Sequence, residues 1–414
     1  MNFYRFFVAN WQILLFAILL TLFSGFGQTF LLSLYIPSFI ETLKISHTYY
    51  STIYSSATLL SGISIIFAGK QIDKLPLKTF TFATIIGITT ANIVAGFSFN
   101  PISLFIAIYL LRFFGQGMLS HTAMIAMGRF FNKARGKALS VAYLGFPIAE
   151  GLFPIIFVFL IAAVGWRYSF FISAISILII LLPITHVLLK KFSKKKVVED
   201  FIEEKEPQEI QSKTSNNKAI LWSTKKLLTD KRIYILAPTT FIVGFLLTAL
   251  FFFQTFVAEY KGWSIEWMAV NITAYAISSF SFSILAGPLT DRFTAKRLYP
   301  IILLPMVAGL LMLTFINAPI GATLFWSFVG ISAGLNPTIS NAIYAEEYGT
   351  QSLGTVRSLF TFVMVGSTAA GPIVYSLLLD KGLTFTQIHY LAILIICANI
   401  LTLLLLRKKK VSIN

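Results

Sequence analysis

The sequence predicts an all-α membrane protein of twelve transmembrane helices in two six-helix bundles, and three observations predict it. Of the 414 residues, 57% are hydrophobic and 12% charged, against about half and about a quarter in an ordinary soluble domain. Predominantly apolar runs such as Trp11 to Leu32, Ala138 to Val164, Phe170 to Leu189 and Ile388 to Leu406 supply the roughly 20 residues that a hydrocarbon core about 30 Å thick requires of a helix. They lack the alternation of a transmembrane barrel strand. Finally, a polar stretch near Lys190 to Lys231, with Glu199, Asp200, Glu203, Glu204 and Glu206, has no sustained apolar pattern and reads as a linker. Six apolar runs lie on either side of it.

Taken in order, the expected spans are 11–40, 49–69, 79–99, 102–128, 137–164, 169–189, 233–258, 267–288, 298–316, 320–345, 353–379 and 386–406. The first is too long for a signal peptide, lacks a small-residue cleavage site and leads straight into a second span, so it reads as retained. The implied organisation is a first bundle over 1–192, a cytoplasmic linker over 193–230 and a second bundle over 231–414. With the N-terminus inside, 28 of the 33 Lys and Arg fall in cytoplasmic segments. Lys44, Arg167, Lys261 and Lys381 fall outside, and Arg112 lies within a helix. That asymmetry is the positive-inside pattern. It predicts a multi-pass protein of the cytoplasmic (inner) membrane with both termini cytoplasmic. The net charge of +17 is thereby spent on orientation and implies no nucleic-acid partner. The basic runs at 190–196 and 407–410 suit anionic lipid head groups. A single cysteine, Cys397, excludes an intramolecular disulfide framework and a cysteine-based metal cluster.

The two halves align at a constant offset of 218 residues. Glu41 falls on Glu259, Ser46 on Ser264, Gly69 on Gly287, Asp73 on Asp291, Lys78 on Lys296, Gly136 on Gly354 and Pro154 on Pro372. Shared Leu and Phe would follow from apolarity alone, but shared Asp, Gly and Pro indicate an internal duplication. Six helices per half give both halves the same orientation, the parallel-repeat arrangement of some transporters.

The loop after the second span reads Gly69-Lys70-Gln71-Ile72-Asp73-Lys74-Leu75-Pro76-Leu77-Lys78. Its partner after the eighth reads Gly287-Pro288-Leu289-Thr290-Asp291-Arg292-Phe293-Thr294-Ala295-Lys296-Arg297. A glycine, an acid four residues on, a base, and a further base four residues later resembles the signature loop of the major facilitator superfamily. Twelve helices, the central linker and the duplication fit the same family over nearly the whole chain. The resemblance implies the superfamily fold, with its pseudo-twofold, and a cytoplasmic gate formed by Gly69, Asp73, Lys74 and Lys78 with Gly287, Asp291, Arg292 and Lys296. Physically, glycine permits close helix approach, and an acid at the membrane boundary can accept from the positive N-terminal end of a neighbouring helix. The stretch from Gly128 to Ala138 and Gly165-Trp166-Arg167 are similar to bacterial members related to monocarboxylate carriers. The lysine in the first helix and arginine in the eighth that typify those carriers are absent here. Gly145, Pro147 and Gly151 partly match the fifth-helix motif of the antiporters, but Glu150 stands where small residues are usual.

Two charges lie at membrane depth. Arg112, in Arg112-Phe113-Phe114-Gly115-Gln116-Gly117, is about ten residues, roughly 15 Å, from the outer end of the fourth span. Glu150 is at similar depth in the fifth. An ion at a helix centre costs about 2.5–3.5 kcal/mol, so each should face a partner or a wet cavity. They are the first candidates for a substrate or proton pathway, with a purely structural Arg112 to Glu150 pair as the alternative. Gln28, His121, Gln254, Asn271, Tyr275, Asn336 and Asn341 are further polar residues at depth, any of which can instead be interhelical glue.

The expectation is a secondary active or facilitative transporter of a small organic solute working by alternating access as a monomer, with proton symport and anion selectivity as open options. There is no P-loop run, no nucleophile motif and no metal-ligand spacing among His47, His121, His186 and His389. The chain therefore implies neither an enzyme nor a cofactor. A transporter-like membrane receptor is the competing reading, and an integral membrane enzyme the weaker one.

Overall fold

The computed structural model describes residues 2–69, 75–131, 135–192, 224–349 and 353–411. Among these residues the secondary structure is helical, with no strand. Nine helical stretches among them are long and apolar enough to cross a membrane. One of these, Lys137–Lys190, has 54 residues, about 80 Å of helix at 1.5 Å per residue and so enough for two crossings. It is interrupted at Gly165, where φ is +81°, a left-handed value that glycine adopts without a Cβ clash. Two further helices, His47–Gly69 and Ile320–Tyr348, have membrane-spanning length. They are less apolar because they carry Ser51, Ser55, Thr58 and Ser61 in the one and Ser332, Asn336 and Ser340 in the other. The set is consistent with twelve crossings.

Several helix starts are set by short polar side chains at the position before the first turn. Asn100 accepts from Ser103 N at 2.8 Å while Ser103 Oγ accepts from Asn100 N at 3.1 Å, a capping box with Pro101 at the first helical position, where its missing N–H is harmless. Asp230 accepts from Arg232 N at 2.8 Å at the start of Lys231–Phe252. Ser264 accepts from Trp267 N at 3.1 Å at the start of Ile265–Phe293. Large apolar side chains stay exposed along the helices, Phe362, Phe99 and Ile102 each by more than 70%. This is the surface of a protein whose solvent is hydrocarbon.

By internal contacts the chain resolves into two compact units, one of residues 1–32, 60–149 and 160–219, the other of residues 33–59, 150–159 and 220–414. In the first, the opening helix packs on Ser120–Phe130 and Leu182–Phe192, and Leu14, Phe16, Ala17 and Leu20 on the one side and Ala123, Ala126 and Met127 on the other are buried. In the second, Ile265–Phe293 lies along Ile320–Tyr348, and Lys231–Phe252 along Leu353–Asp380. Trp326, fully buried, stacks on Phe251 at 4.6 Å and donates Nε1 to Met268 Sδ at 3.1 Å.

The first span departs from the expected single helix over 11–40. Helix begins at Asn2, kinks at Asn10, tightens to a 3₁₀ turn over Ser24–Gly27, becomes extended at Gln28 (φ −86°, ψ 152°), and resumes as Thr29–Leu32, Ser33–Tyr35 and Ile36–Leu43. The fourth span also departs from expectation, running as a π-helix over Leu111–Leu119.

Candidate functional site

These two irregular segments meet in the first unit. Glycine at positions 25 and 27 weakens the helix locally, but the neighbour explains why the break sits there. A Cβ on Gly27 would lie 2.1 Å from Leu111 O and 2.5 Å from Gln116 N, and one on Gly115 would lie 2.8 Å from Gly27 Cα. Two backbones therefore touch where neither bears a side chain. Arg112, 1% exposed, donates Nη1 to Gly27 O at 3.0 Å and to Thr29 Oγ1 at 3.3 Å. A guanidinium thus satisfies acceptors at the interruption, and a π-helical turn of this kind is frequent at functional sites. Gln28 and Gln116 flank the contact, both half-buried. His121 follows the π segment by two residues, half-buried.

The remaining candidates belong to the second unit. Glu150 is half-buried on the fifth span, one residue before Gly151. The helix carrying it is fastened there by Thr273 Oγ1, which donates to Gly151 O at 3.0 Å. Tyr275, 5% exposed, packs edge-on to Phe251 at 5.0 Å and to Trp326 at 5.8 Å. Asn271 donates Nδ2 to Trp267 O at 2.7 Å and accepts from Thr323 Oγ1 at 2.5 Å, which is the glue role. Asn336 accepts from Ser340 Oγ one turn on at 2.9 Å, and Asn341 donates to Pro337 O at 2.8 Å. Gln254, 1% exposed, donates Nε2 to Ser33 Oγ at 2.6 Å.

That last bond belongs to a larger seam within the same unit. Ser51 and Ser376 share a hydrogen bond of 2.5 Å, and Thr48 Oγ1 donates to Asp380. His47 meets Phe256 edge-on at 4.5 Å, and Tyr54 meets Phe252 edge-on at 5.0 Å. The seam ties residues 33–54 to residues 252–256 and 376–380. None of its side chains except Gln254 stood out in the sequence, because small hydroxyls and aromatics in an apolar run look like ordinary packing.

Of the signature loops, Asp73 and Lys74 lie outside the described residues. Gly69 ends the helix His47–Gly69, and Lys78 is exposed with Nζ 5.8 Å over the Phe82 ring. In the second copy a Cβ on Gly287 would meet nothing within 4 Å. Asp291 is exposed, and the exposed Arg292 folds over Phe293 at 5.2 Å. The acid that caps a helix start there is Glu346, whose carboxylate accepts from Ala295 N at 2.9 Å and Lys296 N at 3.2 Å. Its neighbour Glu347 pairs with Lys296 at 3.2 Å and Arg232 at 3.4 Å, and Arg232 also pairs with Asp230 at 2.9 Å. The signal that could have found this cluster is the doubled acid at the end of the tenth span, opposite a basic loop.

A family model of the Major Facilitator Superfamily matches residues 17–372 and again 236–413. The chain belongs to the major facilitator superfamily. The match is to the superfamily as a whole and does not single out the monocarboxylate-carrier branch. Two solved superfamily structures share the fold. A bacterial homologue of the human lysosomal transporter Spinster, in an inward-facing and unoccupied conformation, is similar with a TM-score of 0.65 and 14% identity, over 95% of this chain and 94% of that one. The nucleoside transporter NupG gives a TM-score of 0.68 and 14% identity, over 96% of this chain and 97% of that one. No curated protein matches the sequence. The protein is therefore a multi-pass membrane transporter of the superfamily type, which moves small solutes.

Proposed function

We propose that the protein is a monomeric, secondary active or facilitative carrier of a small organic solute in the cytoplasmic membrane, with both termini inside, working by alternating access. The observation that carries the reading is the placement of Arg112 at the break in the first span, held on Gly27 O and Thr29 Oγ1. Discontinuous helices with freed backbone groups are where such carriers hold substrates and ions. An intramembrane charge beside one marks the path. Arg112, with Gln28 and Gln116 as neutral hydrogen-bonding neighbours, suits the anionic or carbonyl-rich end of a solute, since its planar fork matches two acceptor oxygens. Glu150 is the group we assign to proton coupling, as a carboxyl able to exchange a proton when its surroundings change between states.

The test is a thermal-shift screen of purified protein with carboxylates, nucleosides, sugars and amino acids, followed by uptake of each hit into proteoliposomes with and without a pH gradient. Nucleosides enter because a transporter of that name shares the fold. A hit raises the apparent stability by binding the folded state. It should then be accumulated by wild type and not by Arg112→Ala. Hits that bind but show neither uptake nor counterflow would favour the receptor reading instead.

A further inference from the structure

A groove on the first unit takes no part in that path. Its walls are Ile93 and Phe97, at the end of helix Leu77–Gly96, and Phe171, Ala174, Ile175 and Leu178 on the sixth span. It is an open groove of about 400 Å³, and no polar atom faces it. From Phe171 to Leu178 the wall runs for seven residues, roughly 10 Å. At one end the helices are pinned together. A Cβ on Gly96 would lie 2.8 Å from the Phe171 ring and 3.1 Å from Arg167 O, and Phe97 meets Phe171 edge-on at 4.9 Å.

One helical turn before Phe171 stands Arg167, half-buried. It donates Nη1 to Ser98 O at 3.1 Å and lies 4.1 Å over the Trp166 ring. These contacts fix the guanidinium at the end of the groove while most of its five N–H donors are left for a ligand. Trp166 and the exposed Tyr168 are the residue types that settle at head-group level. No Asp or Glu occurs among the described residues of this unit, so these residues supply neither a carboxylate for Arg167 nor an acid for the amine of a zwitterionic lipid.

We propose that this is a binding site for an anionic phospholipid, with its phosphate on Arg167 and one acyl chain in the Ile93 to Leu178 groove. Guanidinium and phosphate form short, paired, charge-assisted hydrogen bonds, and a wholly carbon-lined groove opening to hydrocarbon suits an acyl chain.

Native mass spectrometry of the full-length protein, titrated with dioleoyl phosphatidylglycerol, dioleoyl phosphatidylcholine or glycerol 3-phosphate, tests it. Wild type should retain phosphatidylglycerol about fivefold better than phosphatidylcholine, the factor expected from one basic residue meeting an anionic head group. Arg167→Gln should erase the preference, Arg167→Lys should keep most of it, and Ala174→Leu, which fills the groove away from the charge, should lower retention of both lipids. Equal preference in Arg167→Gln and wild type, unchanged retention in Ala174→Leu, or displacement by glycerol 3-phosphate would overturn the site. Should Arg167→Gln not fold, Arg167→Lys and Ala174→Leu decide it.

Discussion

Arg112 reaches from the fourth span to the carbonyl oxygen of Gly27 in the first, 3.0 Å away, at the point where the first span stops being a helix. The acceptors are a backbone carbonyl and the Thr29 hydroxyl. Glu150, at similar depth by sequence, stands beside Gly151, which accepts from Thr273 on the eighth span. One residue can serve both fold and transport here, and stability and uptake measured side by side separate the two roles.

Arg112→Ala removes a charged donor from buried acceptors, a change that costs about 1–3 kcal/mol. It should lower the unfolding temperature in detergent and reduce uptake by at least about tenfold, the equivalent of 1.4 kcal/mol in the transport barrier. Arg112→Lys keeps the charge without the fork and should recover stability more fully than uptake. Equal recovery of both would leave Arg112 a structural residue only.

Gly27→Ala and Gly115→Ala each set a methyl against backbone, 2.1 Å and 2.8 Å from the nearest atom. Backbone cannot rotate away as a side chain can, so each should destabilise by about 1–3 kcal/mol. Gly287→Ala meets nothing within 4 Å and should be neutral or gain up to about 1 kcal/mol from helix propensity. Thermal unfolding of the three variants side by side is the check.

The Ser51 and Ser376 hydroxyls are 2.5 Å apart, so a Ser51→Cys/Ser376→Cys pair should oxidise to a disulfide in a Cys397→Ser background. If this seam must open during each cycle, oxidation should stop uptake and reductant should restore it. Full uptake by the cross-linked protein would show the seam to be static.

Glu346→Ala takes a carboxylate from the N–H groups of Ala295 and Lys296 and should cost about 0.5–2 kcal/mol, as lost caps do. Asp291→Asn, at an exposed side chain, should leave the unfolding temperature unchanged. If Asp291 also acts as a gate, its loss should appear in uptake kinetics alone. Unaltered kinetics would assign the loop's structural work to Glu346 and Glu347.

Glu150→Gln should still let solute run down its own gradient but should lose the drive given by an imposed pH gradient. Accumulation that remains pH-driven in this variant would remove Glu150 from proton coupling and place that role elsewhere.

The sequence alone determined that the chain is a helical membrane protein and where most of its apolar spans fall. It did so because insertion into hydrocarbon is governed by run length and composition; the caps that the structure shows, Asn100 with Ser103 and Asp230 with Arg232, are likewise local in the chain. The break between the fifth and sixth spans was legible for the same local reason, with Gly165 between two apolar runs. Only the tertiary structure decided that the first span breaks at Gln28, that Arg112 turns toward Gly27, and that Glu346 caps the helix at Ala295. Those outcomes depend on which backbone approaches which, as at Gly27 and Gly115, and on the rotation of each helix about its axis. Lipid as solvent constrains that rotation weakly, because an apolar face satisfies the membrane in whichever direction it points.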